Sequence, residues 1–208
     1  MIAVIDYGAG NLGSVVNALK KLGYRPLVTN AASDVLKADA VFLPGVGAAA
    51  DTMKSLAATG MDAAVRKLVE LRKPLFAICI GLQVLLTRTE EGGDHKCLDI
   101  IPGKVSKLPA GLKIPHMGWN QVKQKIAHPI FEGIPDEANF YFVHSYYAKP
   151  EDGSLVAGET EYGIPFCSVV AKDNLVATQF HPEKSGEVGL KIYDNFIRVA
   201  LGAKAGRR

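Results

Sequence analysis

The chain has 208 residues, 48% of them apolar and 22% charged, with a net charge of +3. That balance suits a soluble globular protein with a sizeable core, and so small a surplus argues against nucleic-acid or membrane-surface partners. Three cysteines and five scattered histidines lack metal-ligand spacing, so no metal is expected and a reducing cytoplasm is.

In chain order, "IAVIDY" (Ile2 to Tyr7) reads as a short apolar strand, with no basic segment before it that would make a signal peptide. "NLGSVVNALKKLG" then places Leu12, Val15, Val16, Leu19 and Leu22 on one helical face, stopped by Gly23. "RPLVT" (Arg25 to Thr29) is a second strand and "AVFLPG" (Ala40 to Gly45) a third. Met61, Ala64, Val65, Leu68 and Leu71 follow at helical spacing, and "LFAIC" is a fourth strand. Strands so continuously apolar are covered on both faces, as in a parallel sheet between helices. Beyond about residue 100, "GKVSKL", "WNQVKQ", "NFYFVHSYYAK", "SLVAGE", "PFCSVVAK" and "LVATQF" are strand-like and separated by Gly, Pro and Asp turns, which indicates antiparallel hairpins. A last amphipathic helix spans about Val188 to Leu201, and the basic end "AKAGRR" is a solvated tail. No run is long enough to cross a membrane, and neither repeats nor linkers divide the chain, so residues 1–208 read as one α/β domain with a mixed sheet.

Two sites compete. "GAGNLG" (Gly8 to Gly13) satisfies the G-x-G-x-x-G dinucleotide fingerprint between a strand and a helix. The ribose-binding acid expected at the end of the second strand is missing, because that strand ends in Asn30 and Asp34 already starts a helix. The other site centres on Cys79 in "KPLFAICIGLQVLL". A space-filling core cysteine would not require small neighbours, yet Ala77 and Gly81 stand two residues to either side. A strand that ends at Cys79 and turns tightly into a helix does require them. There the helix N-terminus favours thiolate, and the amide of Ile80 supplies one oxyanion donor. A second donor fits "PGVG" (Pro44 to Gly47), at Val46 and Gly47. The base is His181 in "VATQFHPEKS": Pro182 forces it into extended geometry, so Glu183 points to the same side and orients the ring. Cys97 and Cys167 are expected to pack, and His95, His116, His128 and His144 to be structural or at the surface.

These residues carry a resemblance. "AICIGLQ" resembles the G-x-C-x-G-x-Q elbow of class I, triad-type, glutamine amidotransferases, "HPE" looks like their His-x-Glu, and "PGVG" upstream agrees. Nearly the whole chain is covered. Ala77 departs from the usual glycine, which implies a slightly crowded elbow with an intact triad. Within the family, "DYGAGN", "IPHMGWN", "YFVHSYY" and "HPEKS" are similar to the subgroup serving histidine biosynthesis, the glutaminase subunit of imidazole glycerol phosphate synthase. The resemblance implies a Rossmann-like α/β/α sandwich whose central sheet is mostly parallel, with antiparallel strands in the C-terminal half. It implies hydrolysis of L-glutamine through a cysteine thioester, without a cofactor, with Gln83, Ser145 and Tyr146 holding the substrate. Ammonia would pass to a cyclase subunit, a (β/α)₈ barrel, for formation of imidazole glycerol phosphate and aminoimidazole carboxamide ribonucleotide. Asn11, Trp119, Asn120, Tyr141 and Lys184 would face that partner in a heterodimer, and the "GAGNLG" loop would lie near the mouth of the site with no dinucleotide bound. Trp119 also reads as a core residue of a strand, "GWNQV". The alternatives are a class I glutaminase feeding pyridoxal phosphate, purine or anthranilate synthesis, a non-catalytic nucleotide-binding module, and a cysteine hydrolase of the esterase type.

Overall fold

The computed structural model describes residues 1–8 and 11–205. The first half winds strand and helix in alternation: β1 (Ile2–Ile5), α1 (Leu12–Lys21), β2 (Leu27–Thr29), α2 (Ala32–Lys37), β3 (Ala40–Leu43), α3 (Ala49–Thr59), α4 (Met61–Glu70), β4 (Leu75–Ile78) and α5 (Ile80–Val84). There follow β5 (Leu86–Thr89), β6 (His95–Lys96), β7 (Ile101–Lys107), β8 (His116–Gln124), β9 (Ala138–His144), β10 (Tyr146–Pro150), β11 (Val156–Glu161), β12 (Pro165–Lys172), β13 (Leu175–Thr178) and α6 (Gly186–Ala205).

Strands β2, β1, β3, β4 and β13 lie side by side and parallel. Among them β1, β3, β4 and β13 are buried at every position, as their unbroken apolar runs require. β2 is the edge strand, and Leu27 and Val28 are exposed there. From β13 the sheet continues antiparallel through β12, β10 and β7, with β5 and β6 beyond. A side branch runs from β12 through β11 to the hairpin of β8 and β9.

Alternation assigns the faces. Phe42 and Phe76 are register partners with ring centroids 5.5 Å apart, and Tyr193 and Phe196 of α6 meet them edge-on at 5.2–5.5 Å. Leu43 and Ala77 point to the opposite face, where Gly81 of α5 lies against both residues. Each aromatic side chain buried this way contributes roughly 2 kcal/mol of hydrophobic stabilisation. Helix α1 buries Val15, Ala18 and Leu19 and is stopped by Gly23 at φ +87°.

Three elements differ from the sequence expectation. The helix read from Met61 onward is preceded by another, α3, and the left-handed Gly60 (φ 70°) both ends α3 and starts α4. Leu71 then falls past the end of α4 and is exposed. The run "NFYFVHSYYAK" divides at Ser145 into β9, which pairs with β8, and β10, which pairs with β7 and β12. Helix α5 is only five residues long, and the chain turns at once into β5, a strand not foreseen. Among the described residues no helix is long and apolar enough to cross a membrane.

Candidate active site

The carboxyl ends of β3, β4 and β13 share one edge of the sheet, the place where open α/β sheets bind ligands. Cys79 stands there between β4 and α5 with φ 53° and ψ −104°. For a non-glycine residue this conformation costs of order 1–3 kcal/mol, and it sets the side chain at the apex of the turn. The elbow depends on close approach. A Cβ on Gly81 would lie 2.6 Å from the Leu43 carbonyl oxygen, and one on Gly45 would lie 2.8 Å from the Gly81 nitrogen. Ala77 is accommodated, 3.3 Å from where a Gly81 Cβ would be, because Gly81 has none. The Pro44–Gly47 loop is held from below by Tyr7, whose hydroxyl donates to the Pro44 carbonyl at 2.9 Å.

His181 lines the same pocket as Cys79 and pairs with Glu183. His181 Nδ1 lies 2.7 Å from Glu183 Oε1, and both side chains are almost fully buried. Burial disfavours the imidazolium, but hydrogen bonds and charge from Cys79 and Glu183 outweigh it and push His181 up from 6.5 to about 10. Both partners therefore favour the imidazolium over the neutral ring. Tyr193 of α6, which sequence reading missed, donates its hydroxyl to Glu183 Oε2 at 3.1 Å and so fixes the carboxylate's second oxygen. Burial pushes the Tyr193 hydroxyl well above its ordinary range, which keeps it a neutral donor. Only its place on a late amphipathic helix was legible. The other two thiols are packed, as expected: burial pushes Cys97 up to about 11 and Cys167 to about 12.

A pocket of about 310 Å³ opens over Cys79 and His181, with Val46, Gly47, Ile80, Gln83, Ser145 and Tyr146 among its lining residues. Ile80 opens α5, so its amide has no partner within the helix. Gln83 donates to the Tyr146 carbonyl (2.8 Å) and to Gln179 Oε1 (3.1 Å), while its own Oε1 is buried without a donor. Gln179, unremarked in the sequence, donates toward Cys79 Sγ at 3.6 Å. Glu91 is a second omission. It lines the same pocket, and its Oε2 accepts from the Ala49 amide at 2.7 Å.

Of the residues expected at a partner face, Lys184 lines this pocket. Trp119 is 58% exposed, so its core reading is set aside; it faces Tyr141 across the hairpin at 6.1 Å. Lys184 lies over the Tyr141 ring at 5.9 Å, and the Tyr141 carbonyl accepts from the His181 amide at 2.9 Å. Asn11 precedes α1, which packs on the Pro182–Lys184 turn. Asn120 turns inward, donating to the Glu161 carbonyl. In the "GAGNLG" loop, residues 9 and 10 lie outside the described residues; β2 ends at Thr29, whose hydroxyl donates to Asp34 within α2.

His116 and His144 prove buried rather than superficial, and burial lowers them from 6.5 to about 4 and about 3, respectively. Unfolding then takes up protons, so the stability they contribute is full above about 6.5 and drains away as pH falls toward 4. Melting temperatures measured from about pH 6.5 down to about pH 5, below the range in which the raised His181 gains stability, should fall, and His144→Phe should flatten that slope. A wild-type profile flat over this range would refute the neutral, buried state of both rings.

The family described as "Glutamine amidotransferase class-I" matches residues 3–199. The chain is 58% identical over 204 residues to "Imidazole glycerol phosphate synthase subunit HisH" of Dehalococcoides mccartyi (strain CBDB1), covering 98% of this chain and 100% of that one. It is 52% identical over 203 residues to the protein of the same description from Chloroflexus aurantiacus (strain ATCC 29364 / DSM 637 / Y-400-fl), covering 95% of each. A chain in the structure of PurLQS from Thermotoga maritima superposes with a TM-score of 0.74 at 17% identity, covering 95% of this chain and 97% of that one.

Proposed function

The chain belongs to the class I glutamine amidotransferases, and from that premise we propose that it is the glutaminase subunit of an imidazole glycerol phosphate synthase, hydrolysing L-glutamine to glutamate and ammonia. The observation that carries the chemistry is the buried Cys79, His181 and Glu183 at one sheet edge, under a pocket rimmed by glycine-rich backbone.

Cys79 thiolate attacks the side-chain amide carbon, and the oxyanion is received by the Ile80 amide and the Val46–Gly47 turn. When the C–N bond breaks, protonated His181 gives its proton to the nitrogen, which leaves as ammonia. The imidazole then takes a proton from water as the water attacks the thioester, and the thiolate departs with glutamate released. Glu183 stabilises the imidazolium throughout. The unpaired Gln83 Oε1 suits a donor from the substrate, and the Glu91 carboxylate suits its ammonium group. The Ser145–Tyr146 backbone borders the same amino-acid end.

Ammonia loses its nucleophilicity when protonated in water, so a docked cyclase subunit is the fitting recipient. Its product would be imidazole glycerol phosphate, with aminoimidazole carboxamide ribonucleotide released. The exposed face of Trp119, Tyr141 and Lys184 suits such a partner.

The test is co-purification with the cyclase of the same organism, followed by glutamine-dependent synthesis. Glutamine hydrolysis should be low in the isolated chain and rise strongly with cyclase and its nucleotide ligand. Trp119 is the sole tryptophan, so its fluorescence should shift on titration with cyclase. Trp119→Ala should weaken association about thirtyfold, as loss of a buried aromatic anchor does. Full hydrolysis by the isolated chain, unstimulated by cyclase and ligand, would reject this reading.

A further inference from the structure

Behind Trp119 a chain of side-chain hydrogen bonds leads inward. Asn120 Oδ1 accepts from the Gln121 amide at 2.8 Å, which orients the amide so that Nδ2 faces His116 Nε2 at 3.2 Å. His116 Nδ1 lies 2.9 Å from His144 Nε2, and His144 Nδ1 lies 2.9 Å from the Tyr146 carbonyl. That carbonyl also accepts from Gln83, Gln83 donates to Gln179, and Gln179 donates toward Cys79. A carbonyl only accepts, so His144 must carry its proton on Nδ1 and offer Nε2 as acceptor. His116 must then donate from Nδ1 and accept at Nε2, where Asn120 can only donate. Each link between Asn120 and Tyr146 thus has one allowed polarity.

We infer that His116 and His144 are positioning residues, coupling the Asn120 end of the exposed hairpin to the Tyr146 edge that holds glutamine. His116 does not line the pocket; His144 borders it, with its ring nitrogens engaged by His116 and the Tyr146 carbonyl. His116 is clamped between Tyr162 and Phe142, with centroids at 4.0 and 4.9 Å, so it cannot swing to absorb a shift at Asn120. A partner that settles on Trp119 moves its neighbour Asn120. The chain has no slack, because any broken link leaves a buried polar atom without its partner. The strain reaches Tyr146, and through Gln83 and Gln179 it reaches the nucleophile. Both rings stay neutral at physiological pH, which preserves the single polarity.

This inference rests on the proposed function. The test uses the complex with the cyclase subunit and compares wild type with His116→Phe, which keeps the aromatic stack and removes both hydrogen bonds. The variant should bind cyclase with unchanged affinity and support ammonia-driven synthesis at the wild-type rate. Stimulation of glutamine hydrolysis by the cyclase's nucleotide ligand should fall about tenfold or more, chiefly through a raised KM for glutamine. Undiminished stimulation would overturn the inference, and so would a loss of stimulation fully accounted for by lost docking. A measurement on the wild-type chain needs no substitution: long-range proton–nitrogen NMR should find both rings as neutral Nδ1–H tautomers. An Nε2–H form of either ring would break the polarity and overturn it as well. A wild-type complex without glutamine-driven synthesis would refute the proposed function itself, whereas an active wild type with an unaffected His116→Phe refutes only the coupling.

Discussion

Cys79→Ala should lower glutamine hydrolysis by roughly a thousandfold or more, the scale set by removing the nucleophile of a catalytic triad. No neighbour can replace it. Ile80 and Gly81 carry no nucleophile, while Cys97 and Cys167 are buried elsewhere with thiols that stay protonated, raised to about 11 and about 12. The variant should keep its fold, because alanine retains the same small Cβ at the strained turn and the packing of Gly45 and Gly81 is untouched. With cyclase present it should still support synthesis from added ammonium salt. Glutamine hydrolysis measured on the purified variant decides the matter: retained activity sinks the thioester mechanism. If ammonia-driven synthesis were lost in parallel, Cys79 would be a structural residue.

His181→Ala should be nearly as severe, since nucleophile and base act as one unit and their losses do not add. Without the imidazolium the sulfur loses its counter-charge and the departing nitrogen its proton. Glu183→Gln should be milder by roughly a hundredfold, because the ring remains between Cys79 and its other packing partners. The uncharged amide no longer supports the raised His181 proton affinity that the carboxylate helps to hold at about 10. In Glu183→Gln, therefore, His181 should release its proton at lower pH, and the basic limb of the activity profile should move down. Steady-state rates against pH for the two variants provide the check. Turnover unchanged in Glu183→Gln would remove that residue from the catalytic unit.

Much of this molecule follows from local sequence. The unbroken apolar runs of β1, β3 and β4 can be satisfied only by burial on both faces, so a parallel sheet under helices was legible. That β13, read among antiparallel hairpins, also joins this sheet parallel to β4 was not. Cys79 between two small residues, and His181 two residues from Glu183 beside a proline, are constraints within a few bonds. Each therefore shows in the linear order. Tertiary structure alone decided what depends on distant segments meeting. The division of one strand-like run at Ser145 followed from the two halves pairing with different strands. Tyr193 reaches Glu183 from a helix on the sheet face, and Glu91 enters the pocket from a loop after β5. Trp119 is outside the core because its face of the hairpin lies uncovered, although its alternating pattern fits either role. His116 and His144 are 28 positions apart, and nothing in either neighbourhood marks them as partners. Only the antiparallel register of β8 on β9, which sets them opposite one another, joins their rings. Backbone conformation is written by near neighbours, whereas a hydrogen-bond network belongs to the packing that assembles it.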